Sequence, residues 1–171
     1  IVKYLHQFDL INSIHFRQLN NTGYYGNFKK CKELSNGIFF WLLSDNEIVN
    51  DNLIEFIINL LKRESNISAI HLSDWSNYRN NKSFEKVDYH TKIVDNELLL
   101  KLSGYKLTLI SSVIFLNNKT NEIEIFDKFF GNTFLGFQLF LSSIDYSKKA
   151  LVINGKSLIS VNALISFNVF H

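Results

Sequence analysis

Proline and methionine are both absent from these 171 residues, and cysteine occurs once, at Cys31. A single cysteine excludes an internal disulfide framework and any four-cysteine metal site. The five histidines, His6, His15, His71, His90 and His171, have no zinc-ligand spacing, and each reads as structural or surface. No apolar run approaches the roughly 18 residues of a membrane span, and no stretch reads as a signal peptide. Charge of one sign is also lacking. The formal net charge is +2, with 46% apolar and 20% charged residues, a globular balance that gives no electrostatic case for nucleic acid. Without a methionine, and opening on IVKYLHQF as though already inside a helix, the chain is expected to lack its start. The want of proline beside 21 asparagines suggests an AT-rich genome more than a physical demand.

The most informative stretch is IFFWLLSDNEIV, Ile38 to Val49. Six apolar residues run unbroken to Leu43, then Ser44, Asp45, Asn46 and Glu47 follow at once. Such a run predicts a strand buried on both faces, central in a mostly parallel sheet covered by helices. Acids at the carboxyl end of that strand would stand where open α/β sheets bind ligands. Turn and cap chemistry is the competing explanation for Asp45 and Glu47.

Around this stretch the pattern alternates. Ile1 to Leu10 has helical spacing, and Ser13 to Leu19 alternates like a strand. Asn20-Asn21-Thr22-Gly23 is turn chemistry, and a helix is expected from Tyr24 to Leu34 with Asn36-Gly37 as its stop. A second helix, Asn52 to Arg63, can be capped by Asn50 or Asp51. Ser68 to Leu72 reads as a short strand and Asp74 to Asp88 as a flexible polar loop. Asp95 to Leu102 reads as a helix ending near Gly104. Leu107 to Phe115 is apolar and fits strand or helix. A helix is expected around Phe134 to Ser143. Ala150 to Ile153, Asn154-Gly155 and Leu158 to Val161 read as a hairpin. No repeat and no linker divides the chain, so residues 1–171 are expected to form one α/β domain.

Several of these segments match a known pattern when taken together. Asn20-Asn21-Thr22-Gly23-x-x-Gly26-Asn27-Phe28, a helix, Gly37, an aromatic-rich strand and Leu42-Leu43-Ser44-Asp45-Asn46-Glu47-Ile48-Val49 succeed one another. The order resembles family 2 glycosyltransferases, and among them the bacterial O-antigen sugar transferases of the abequosyltransferase kind. Gly104 to Phe115 and the terminal ALVINGKSLISV are similar to later segments of those enzymes. The resemblance implies a GT-A-like sandwich with a mostly parallel central sheet, here truncated at its N-terminus by a strand–helix–strand. It implies metal-dependent transfer of a sugar from a nucleotide-sugar to a saccharide or lipid-linked acceptor, in surface polysaccharide biosynthesis. The acidic motif, Asp45, Asn46 and Glu47, would hold Mg²⁺ or Mn²⁺, with the register of direct ligands open among the three. Asn20, Asn21, Gly23 and Asn27 would lie near the nucleotide. A carboxylate base is needed for the acceptor hydroxyl, and Asp127 is the nearest candidate. The implied location is the cytoplasm or the inner face of the membrane, with peripheral contact at most.

Two other classes compete. A degenerate or truncated transferase-like module could bind without catalysis, which Asn46, in a position usually held by Asp, would favour. A GT-A-like nucleotidyltransferase would place a Gly-rich, basic signature on a first strand that is not in this sequence. The 16 Phe and 7 Tyr could suggest a lectin, but their spacing is that of a core.

Overall fold

A computed structural model describes residues 16–44, 47–73, 75–77, 87–117, 128, 134–155 and 158–160. Helix α1 (Gly23–Leu34) precedes strands β1 (Phe39–Trp41) and β2 (Glu47–Val49). Helix α2 (Asp51–Arg63), β3 (Ile67–Leu72), β4 (Trp75–Asn77) and β5 (His90–Asp95) follow. Helix α3 (Asn96–Ser103) continues into two 3₁₀ turns, Gly104–Thr108 and Ile110–Ser112, before β6 (Val113–Leu116). Helix α4 (Leu135–Ser143), β7 (Lys149–Asn154) and β8 (Leu158–Ser160) complete the described chain.

Five strands form the main sheet in the order β1-β6-β3-β7-β5. Only β3 and β7 pair in parallel; β1/β6, β6/β3 and β7/β5 are antiparallel. The fold is therefore α/β with a mixed sheet, which corrects the expectation of a mostly parallel one. The pairings set β1, β3 and β7 running in one direction and β5 and β6 in the other. The carboxyl ends of β1, β3 and β7 thus share one edge of the sheet.

Both faces are covered. Leu53, Ile57 and Leu60 of α2 pack with Ile70, Leu72, Ile114, Leu151 and Ile153 on one face. On the other, Phe28 of α1, Leu99 of α3, Leu107, Leu139 and Phe140 of α4 pack with Phe40, Ala69, Val113, Phe115 and Ala150. Successive strand residues alternate between the layers, as the pleat requires. Because β3 lies in the middle with helices on both sides, all six of its residues are buried. Burying an apolar side chain of this size stabilises by about 1.5–3 kcal/mol, so the two layers dominate the folding energy.

The centre of the sheet is β3, and this corrects the expectation for Ile38–Leu43. Among the described residues β1 pairs on one side only, antiparallel to β6. Ile38 is 78% exposed and Leu43 41% exposed, so the run outlasts the buried strand at both ends. An unbroken apolar run records two covered faces at Phe39–Trp41, and carries no signal for which neighbours pair with it.

Three further expectations are corrected. Residues 16–19 are not a strand: Phe16 and Leu19 are exposed and the backbone is irregular. Trp75–Asn77, expected as loop, is a strand in a second sheet of order β2-β8-β4. β7 and β8 do not form a hairpin. β8 pairs antiparallel with β2 and parallel with β4 instead. A type I′ hairpin turn needs positive φ at both central residues; Gly155 has φ 127°, but among the described residues no non-glycine residue, Asn154 included, is left-handed. The expected helix at Ile1–Leu10 lies outside the described residues.

Candidate functional site

The turn into α1 is built by short polar side chains. Gly23 has φ 65°, a conformation that favours glycine. The Gly23 N–H donates to the Asn21 side-chain oxygen at 2.9 Å. Asn21 therefore satisfies a helix-entry N–H that the neighbouring Thr22, which makes no side-chain cap bond, leaves alone. The Thr22 hydroxyl donates instead to Gln18 at 2.6 Å, and the Gln18 amide donates to Asn27 Oδ1 at 2.7 Å. Gly26 is required here for space. A Cβ on it would fall 2.2 Å from Thr22 Cβ and Oγ1, so any side chain would break this relay.

At the end of β1 a second set of bonds fixes the backbone. Buried Ser111 receives two donors: the Trp41 indole N–H reaches its carbonyl at 2.8 Å, and the Ser44 N–H reaches its hydroxyl at 3.0 Å. The Glu47 N–H donates to the Ser44 carbonyl at 3.3 Å. Asn27 and Ser44 then line a single cavity of about 320 Å³, walled also by Tyr24, Phe28, Cys31 and Ile110. Partial burial raises the Tyr24 phenol above its usual pKa, so it is a neutral hydroxyl near neutrality.

Of the residues expected at the nucleotide, Asn27 lines this cavity, and Asn20 and Asn21 are exposed just before α1. Gly23 shapes the turn. Of the residues expected at a metal, Glu47 is described and begins β2; Asp45 and Asn46 lie outside the described residues, as does Asp127. Glu47 Oε2 is buried with no hydrogen-bond partner. A carboxylate oxygen turned inward and unpaired has the character of a ligand for a hard cation, and carboxylates with a carboxamide oxygen are the donor set Mg²⁺ and Mn²⁺ take. Among the described residues no three His, Cys, Asp or Glu side chains are grouped to hold a metal.

Ser111, Tyr24 and Cys31 escaped the sequence reading of this site. Ser111 lies in the apolar Leu107–Phe115 stretch, where a serine had no assigned task. Its only sequence-level signal is a Ser-Ser pair interrupting that run. No protein-family model matches the chain, and no curated protein sequence is significantly similar to it. Among the described residues, no helix is long and apolar enough to cross a membrane.

Proposed function

We propose that the chain is a metal-dependent glycosyltransferase. It would act on a nucleotide-sugar donor and a saccharide or lipid-linked acceptor, in surface polysaccharide biosynthesis at the cytoplasmic side of the membrane. One observation carries the proposal. Asn27, from the N-x-G turn and helix, meets Ser44, the residue before Asp45-Asn46-Glu47, across one cavity. The two motif segments that suggested the family are thus neighbours in space as well as in order. The cavity also lies at the carboxyl end of β1, the edge where α/β sheets place ligands.

In this reading Asp45 and Glu47 supply charged oxygen ligands and Asn46 a carbonyl oxygen. A divalent cation held there offsets the charge of the leaving nucleotide diphosphate. Asn27 positions the donor, Ser111 holds the strand end rigid, and Asp127 serves as the candidate base. The GT-A form of the fold is part of the same proposal.

Titration calorimetry with Mn²⁺, with and without a panel of nucleotide-sugars, tests it alongside thermal melts. Asp45→Ala and Glu47→Ala should each abolish metal binding while leaving the melting temperature within a few degrees. Equal metal affinity in parent and variants, with both variants melting lower, would show a structural turn and defeat the proposal.

A further inference from the structure

A second cavity lies at the same edge of the sheet, on the carboxyl ends of β3 and β7. It measures about 210 Å³, and its polar lining is His71, Ser73, Lys92, Ser103, Lys106 and Asn154. That is below the roughly 300–1,000 Å³ of pockets that enclose drug-sized ligands. It is ample for a tetrahedral or planar oxyanion, given that a water molecule takes about 30 Å³ of liquid volume.

His71 is the reason to expect a ligand. It is 1% exposed, and both ring nitrogens are buried without a hydrogen-bond partner. Buried polar groups are ordinarily paired, because leaving them dry is costly. His71 lines this polar cavity, and an imidazole there with two idle nitrogens is a donor waiting for an acceptor. The surroundings select that acceptor's charge. Among the described residues no Asp or Glu lines the cavity, and neither the Lys92 nor the Lys106 ammonium has an ion-pair partner. The Lys106 charge is close enough to help hold the imidazole neutral, after burial itself. The Asn154 carboxamide oxygen accepts from the Ser73 hydroxyl at 2.5 Å, which leaves its N–H₂ group to donate. The carbonyl end of α3 shares the wall and counts against an anion, but a helix terminus carries only about half an elementary charge against two full ammonium charges.

We infer that this cavity binds a small oxyanion, a phosphate or carboxylate group either free or at the end of a larger molecule, through Lys92, Lys106, the His71 imidazole and the Asn154 amide. The site stands independently of the transferase proposal and uses none of its residues.

The test is imidazole ¹H–¹⁵N NMR on the 171-residue chain at constant pH and ionic strength, titrated with sodium phosphate, sodium acetate or sodium chloride. The His71 resonances, assigned with His71→Gln, should shift saturably with phosphate or acetate but not with chloride. Whichever oxyanion acts identifies the source. Lys106→Gln should weaken that binding about tenfold, as loss of a charge-assisted contact does, and Lys92→Gln somewhat less. As a second readout, the active oxyanion should raise the melting temperature of the parent and not of the double lysine variant. Unmoved His71 resonances with both oxyanions, or parental affinity in the double variant, would overturn the inference.

Discussion

The hydroxyl of Ser68, on the central strand, donates to the carboxamide oxygen of Asn96 at 3.1 Å, with both side chains buried. The Asn96 amide donates in turn to the carbonyls of Asp145 and Lys148, both at 2.9 Å. One side chain at the start of α3 thereby pins the helix to β3 and to the turn that launches β7. Replacing it removes three hydrogen bonds, although the Ser68 hydroxyl keeps the Lys149 carbonyl at 3.3 Å and the Asp145 carbonyl keeps the Lys148 N–H at 2.9 Å. Asn96→Leu is expected to cost about 3 kcal/mol, the sum of buried bonds worth roughly 1 kcal/mol each. Ser68→Ala should cost about 1 kcal/mol. Urea melts of both single variants and the double variant measure this, and costs that simply add would contradict the shared network.

Asn50 caps α2. Its Oδ1 accepts from the Asn52 N–H at 3.1 Å, while its buried Nδ2 has no partner. Asn50→Ala should destabilise by about 1 kcal/mol, the usual worth of a side-chain cap. Asn50→Ser keeps an accepting oxygen and sheds the idle amide, so its denaturation midpoint should stay near the parent's. A serine variant as weak as the alanine one would rule out the cap as the cause.

Burial first, and the Lys106 ammonium second, lower the His71 pKa to about 4. An unfolded histidine protonates near its ordinary value of about 6.5. Between those two values the unfolded chain holds the extra proton, so acid favours unfolding. This contribution is flat above about pH 6.5, declines as pH falls towards 4, and is flat again below. Its full extent is about 3 kcal/mol. Among the described residues, the cationic groups lining the cavity with His71 are Lys92 and Lys106. Stability measured from pH 7 to 4 should fall less steeply in His71→Leu than in the parent, and identical slopes would contradict a buried neutral imidazole.

Gly23 has no heavy atom within 4 Å of where a Cβ would stand, so its requirement is conformational alone. Gly23→Ala should cost about 1–2 kcal/mol, the penalty for a left-handed alanine, and Gly23→Asn less. Gly26→Ala meets Thr22 instead. Its signature should be altered amide shifts at Gln18 and Asn27 by NMR. Shifts confined to residue 26 itself would argue against the relay described above.

Local chemistry was readable from the sequence wherever it was decided locally. The period of Tyr25, Phe28 and Cys31 marks α1. Asn50 before Leu53, Phe56, Ile57 and Leu60 marks α2 and its cap. Gly104, at φ 49°, ends α3 where expected. What could not be read was decided by partners far along the chain. β5, His90–Asp95, buries only Val94, and its polar residues form a strand because β7 offers a ladder. Strand direction has no local signature, which is why β1 and β6 could not be set antiparallel in advance. Leu107–Phe115 fitted two readings because it is two things: 3₁₀ turns to Ser112, then β6. At the candidate site, Asn27 and the end of β1 were legible as a motif, whereas Ser111 was not, since its partners Trp41 and Ser44 come from another part of the chain.

The small second sheet carries a consequence for the order of assembly. Glu47 pairs across its ladder with Ser160, and β4 joins through the same late strand. Contacts this distant in sequence close slowly, because the intervening chain must first surrender its freedom. On a ribosome, the strand that begins with Glu47 would emerge early and wait for β8, while α1 and α2 could already be wound. A chain stopped before Leu158 would keep every strand of the five-stranded sheet and still leave Glu47 without its ladder. A strand synthesised late is therefore the one that fastens Glu47 in place.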